Sequence, residues 1–226
     1  MIRFIGTVQL CTPMFDVNFV MDNYGLGGVF LEIALIEFVN AFLFQRAFAD
    51  PCHLIYNYLR GRHTVIYSSL LLAIQFIAAY ASWLISKQFF ALNLHPQHVN
   101  AFDEKCSADL TVAIIYGSIV EALGLFASKL AEFCIDERIL SPNGATLINA
   151  LCSGLITILG INITGMYANP IVAWALTFNC EGTSHFGHFV VYWMAPICAF
   201  FATKKVFGDD CEEEAKNIST ELKKDK

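Results

Sequence analysis

Between Arg138 and Glu181 the chain runs 42 residues, Ile139 to Cys180, without one charged side chain. One bilayer crossing takes about 20 apolar residues, so the run is too long for a single helix. Asn169-Pro170 divides it. The Asn side-chain oxygen can cap free N–H groups, and Pro suits the first helical position. The division predicts a span up to about Ile163 and a short apolar helix, Pro170 to Phe178. Elsewhere the chain is equally apolar: 56% of its 226 residues are hydrophobic, 15% are charged, and mean hydropathy is +0.54. That excludes an ordinary soluble domain and indicates several membrane spans. The net charge of −6 owes much to the acidic run Asp209 to Glu214, which reads as a solvated tail and gives no sign of nucleic-acid binding. Met1 to Phe4 does not read as the start of a cleavable signal peptide.

The break at Asn169 has a counterpart. Phe48-Ala49-Asp50-Pro51-Cys52 and Tyr167-Ala168-Asn169-Pro170-Ile171 share one order: aromatic, alanine, short side-chain carbonyl, proline, apolar. The first predicts a half-helix from Asp50 to Tyr58. Around these fall spans at Ile2 to Val20, Gly25 to Phe48, Thr64 to Ser86, Leu110 to Cys134, Ile139 to Ile163 and Phe189 to Thr203. The first is a poor span, since it holds Arg3, Pro13 and Asp16. The expected fold is therefore an all-α membrane protein with six transmembrane helices and two inverted re-entrant half-helices. Residues 1–206 form one channel domain, with repeats at about 1–92 and 109–206, and 207–226 form a cytoplasmic tail. With the N-terminus in the cytoplasm, 12 of the 14 basic residues lie on the cytoplasmic side, leaving Lys87 and Lys105 opposite. Paired interrupted segments in corresponding halves suggest a transport site at their junction.

Six spans with two Asn-Pro-type half-helices resemble the aquaporins. Thr164-Gly165-Met166-Tyr167-Ala168-Asn169-Pro170 is similar to that family's Thr/Ser-Gly-x-x-x-Asn-Pro pattern, and Trp193-Met194-Ala195-Pro196 to its Trp-x-x-Pro. Cys180, nine residues after Ile171, and Gln9-Leu10-Cys11 resemble marks of the superaquaporin branch related to aquaporin eleven. The resemblance implies a passive channel without a cofactor, assembled as a homotetramer in the lipid bilayer. Its pore motifs would be Asp50, Pro51, Cys52 and Asn169, Pro170, Ile171. Spacing within the family puts the selective constriction near Phe30, Thr157, Met166 and Val172.

The departures from the family carry chemical consequences. Asp50 can cap its helix, but when ionised it cannot donate a hydrogen bond, whereas Asn169 can do both. Arg46 stands four residues earlier, where it could pair with Asp50, and Arg3 stands where the first span usually carries Glu. Val172 replaces an Arg, removing a donor, a charge and bulk. A wider, less polar mouth follows, favouring glycerol or hydrogen peroxide besides water. The first span is expected to be incomplete.

Glu121 is an intramembrane carboxylate and so a functional candidate. The resemblance gives it a structural role, since the family uses a Glu in spans one and four to hold the half-helix loops. Glu32 and Glu37 have no such counterpart and could face a cavity or the bundle. His95-Pro-Gln-His98 and His185-Phe-Gly-His188 could bind metal, although scattered polar connections are the simpler reading. Cys106 and Cys180 share the non-cytoplasmic side, and both a bond and unbonded packing stay open. Lys223-Lys224-Asp225-Lys226 resembles a dilysine retrieval signal and implies the endoplasmic reticulum. Three readings follow: an intracellular channel for water and small neutral solutes, a poorly conducting structural homologue, and, remotely, a histidine-based membrane metalloenzyme.

Overall fold

The computed structural model describes residues 1–44, 49–98, 106–138 and 141–207. Arg46, Lys105 and the lysine-rich tail lie outside the described residues. The elements are α1 (Ile2–Met14), α2 (Val17–Phe44), α3 (Pro51–Leu59), α4 (Val65–Phe90), α5 (Ile114–Asp136), α6 (Pro142–Thr164), α7 (Pro170–Thr177) and α8 (His185–Phe207). A 3₁₀ turn at Pro96–His98 follows α4, and α8 includes a π turn at Val190–Met194.

Local chemistry sets the helix starts. Asp50, Thr64, Ser141, Asn169 and Ser184 each accept a hydrogen bond from a backbone N–H in the first turn of the helix they precede. Proline occupies the first turn of α3, α6 and α7, where its missing N–H costs nothing. In an apolar surrounding these caps matter, because an unsatisfied N–H has no water to turn to.

Among the described residues five helices, α2, α4, α5, α6 and α8, are long and apolar enough to cross a membrane. The expected first span, Ile2 to Val20, is corrected: α1 ends at Met14 after 13 residues. At 1.5 Å per residue it reaches only ~20 Å, against a hydrocarbon core of about 30 Å. Pro13 lies in its last turn and brings no N–H to the ladder. The Asp16 N–H bonds to the Pro13 carbonyl instead, closing a turn at 2.9 Å. Gly25 (φ 63°, ψ −165°) then bends α2, setting off the leg Val17 to Tyr24 from the rest.

The helix contacts come in matched pairs. α1 packs on α2 and α4, as α5 packs on α6 and α8, and α2 meets α6 across the middle. Short α3 touches α4 and α8, and short α7 touches the same two. The α2–α6 approach is close enough that a Cβ on Gly154 would lie 2.8 Å from the Phe30 carbonyl oxygen, so a small residue is required there. Amides join α1 to α2: Asn40 donates to the Gly6 carbonyl at 2.9 Å and to Gln9 Oε1 at 2.6 Å. Large apolar side chains face outward, among them Ile66 (82% exposed), Ile115 (73%) and Leu159 (72%), a surface suited to hydrocarbon rather than water.

Candidate pore and selectivity site

The two motifs meet at their caps. Asp50 Oδ1 accepts from the Cys52 N–H at 2.8 Å, and Asn169 Oδ1 from the Ile171 N–H at 3.0 Å. Asn169 Nδ2 then donates to the Ala49 carbonyl at 3.1 Å, tying α7 to the residue before the α3 cap. One of its two N–H bonds is thus committed, leaving one donor for other use. Pro51, Cys52, Pro170 and Ile171 are buried behind the caps.

Glu121 holds the second motif. The segment leading to Asn169 adopts positive φ at Gly165 (81°), Met166 (47°) and Ala168 (47°), which ends the α6 ladder at the Gly165 N–H and turns the following N–H groups away from it. Glu121, fully buried on α5, receives two of them, from Tyr167 and Ala168, while the Met166 N–H donates to Thr164 Oγ1 at 3.2 Å. Oε1 accepts from Thr164 Oγ1 at 2.6 Å and from the Tyr167 N–H at 3.2 Å, and Oε2 accepts from the Ala168 N–H at 2.7 Å. Three donors converging on one carboxylate stabilise a buried charge that would otherwise be costly.

Two cavities approach this junction. The first, about 720 Å³, is lined by Asp50 and His53 near the start of α3 and by the ends of α2 and α5. The second, about 1140 Å³, is lined by Phe90 at the end of α4, by the 3₁₀ turn and by Cys106 to Asp109. Glu37, Ser128, Ser153, Tyr167, Ala168 and Asn169 line both. The first cavity carries charges of both signs, with Lys129 Nζ 2.7 Å from Glu132 Oε2.

Three of the four expected constriction residues, Thr157, Met166 and Val172, line the second cavity. Phe30 lines neither and packs instead against Gly154 of α6. Met166 is 8% exposed, and its thioether fills a slot between Gly124 and Gly160, where an added Cβ would lie 2.2 Å from its Sδ or 2.1 Å from its Cε. Of the two spare carboxylates, Glu37 lines both cavities and Glu32 neither.

Cys106 and Cys180 form a disulfide. Around it the Ala108 N–H donates to the Glu181 carbonyl (2.8 Å) and the Glu181 N–H to the Cys106 carbonyl (3.0 Å), strapping the segment before α5 to the end of α7. The histidine pairs take other roles. A ring nitrogen of His188 is 3.2 Å from Thr177 Oγ1, within the protein. His98 is buried among Phe19, Phe89 and Phe90. Among the described residues no group of three or more His, Cys, Asp or Glu side chains could hold a metal ion.

Sequence reasoning missed two polar members of this site. Tyr167 stood at an unspecified motif position, and Asp109 just ahead of the span expected from Leu110, 58 residues earlier. In the structure the Tyr167 hydroxyl donates to Asp109 Oδ2.

Fold and junction together define an all-helical, multi-pass membrane protein with two short capped helices meeting between opposed cavities. Its relatives are aquaporins, and they support the superaquaporin branch. The chain is 26% identical to aquaporin-11 of Milnesium tardigradum over 205 residues, covering 90% of this chain and 73% of that protein. It is 25% identical to putative aquaporin-10 of Caenorhabditis elegans over 232 residues (97% and 79%). It is 24% identical to aquaporin-11 of Homo sapiens over 200 residues (86% and 72%). No protein-family model matches the chain.

Proposed function

We propose that the chain is a passive channel for water and small neutral solutes, glycerol and hydrogen peroxide among them, in an intracellular membrane. The observation that carries this reading is the shared wall: two cavities from opposite ends converge on Tyr167, Ala168 and Asn169. α3 and α7 would act as re-entrant half-helices, one from each inverted repeat. Their N-termini bring partial positive charge and free N–H groups to the junction, which disfavours cations and lets a neutral solute exchange hydrogen bonds with the wall. Val172, which lines the second cavity, leaves out the bulk and charge an Arg would bring, which suits solutes larger than water. The family resemblance supports a homotetramer. Purified protein in liposomes, followed by stopped-flow light scattering, tests the reading. Water and glycerol permeabilities should exceed those of empty vesicles; equality for every solute would leave only the poorly conducting homologue.

A further inference from the structure

We propose that Asp109 and Tyr167 form the polar pair that sets solute choice on the wide side of the junction, a role that rests on the channel reading above. Met166 lines the same cavity, but its thioether end is packed between α5 and α6 and carries no strong donor or acceptor for this role. Tyr167 is the next residue, and it lines both cavities, while Asp109 lines the second.

The ring is fixed from several sides. Its backbone N–H is held by Glu121, its edge meets Tyr192 with centroids 5.5 Å apart, and its hydroxyl donates to Asp109. Its hydroxyl end folds over Gly165, where a Cβ would lie 2.6 Å from ring carbons. Asp109 is fixed as firmly, because Ala108 is bonded to Glu181 and the Thr111 N–H donates to the Ile163 carbonyl at 3.0 Å. The carboxylate and the phenol oxygen are therefore placed in advance on one wall.

The charge of the second cavity points to the solute class. Among its described lining residues are Asp22, Glu37 and Asp109, with no lysine or arginine. A wall rich in acceptors binds solute donors, and the half-helix N-termini at the junction disfavour cations, so the class that suits both is a neutral molecule with several donors. A polyol with adjacent hydroxyls can donate to both oxygens of the pair while its carbon chain rests on the apolar lining of the same cavity, a contact that water does not make.

The test compares glycerol and water permeability in proteoliposomes for the wild type, Asp109→Asn, Asp109→Glu and Tyr167→Phe. Asp109→Asn should lower the glycerol-to-water ratio roughly tenfold, the scale of one charge-assisted hydrogen bond. Asp109→Glu should restore part of it. Tyr167→Phe, which keeps the ring packing, should shift the ratio in the same direction as Asp109→Asn. Unchanged ratios, or water and glycerol falling in proportion, would overturn the proposal while leaving the channel reading intact. A wild type that passes neither solute overturns the channel reading and this proposal with it.

Discussion

Asn169 joins the two motifs through one side chain: its oxygen caps α7 at 3.0 Å and its nitrogen reaches the Ala49 carbonyl at 3.1 Å. Asp50 caps α3 in the same manner but, as a carboxylate, has no N–H with which to return the second bond. The junction is lopsided for that reason. Asn169→Asp keeps the cap and removes the link. We expect lower water flux and a loss of about 1 kcal/mol of stability, read by stopped-flow scattering and by thermal unfolding in detergent. Undiminished flux would show that the link does not shape the path.

Glu121→Gln replaces an acceptor oxygen with an N–H group facing existing donors. At least one of the three converging bonds must break, at about 1–3 kcal/mol for each buried donor left alone. The midpoint of thermal unfolding should fall, and flux should fall with it, because the loop carrying Asn169 loses its anchor. A variant as stable as the wild type would mean that Glu121 is not the anchor.

Gly160→Ala puts a methyl group where the Met166 Cε now lies, with only 2.1 Å between them. The thioether end is flexible and should swing out toward the second cavity. Glycerol flux should drop more than water flux, and overpacking should cost about 1–3 kcal/mol. Adding Met166→Ala should relieve both effects.

Val172→Arg places a long cation beside the second cavity, which Val172 lines while only 3% exposed. Glycerol permeability should fall before water permeability does. Equal loss of both would indicate a general block or misfolding rather than a narrower mouth.

The Cys106–Cys180 bridge closes a loop with a sequence separation of 74. On a chain-entropy basis such a closure contributes about 4 kcal/mol. Cys180→Ser should lower the unfolding temperature, and intact-mass measurement of the wild type should show two hydrogens fewer than the reduced chain. A wild-type mass matching the fully reduced chain would remove the bridge from the account.

The sequence made some of this legible for physical reasons. A cap is decided within three residues, so Asp50 and Asn169 could be placed from their neighbours alone. Span boundaries followed hydropathy where charges were absent, as in α4. The early end of α1 was harder, because Pro13 is compatible with a kinked span as well as with a stop. Met166 was placed near the constriction by spacing, but its slot is made by Gly124 and Gly160 on two other helices. Pairings such as Asp109 with Tyr167 and Cys106 with Cys180 join residues 58 and 74 positions apart, and no local pattern encodes them.

The bend at Gly25 leaves eight residues, Val17 to Tyr24, to serve as a doorstep. Val17, Phe19 and Asp22 border the second cavity, and Asn23 is latched to Gln97 at 2.7 Å. A solute arriving from that end meets this sill before it meets either motif. The placement of that leg depends on a backbone torsion at Gly25 that L-residues with side chains rarely adopt.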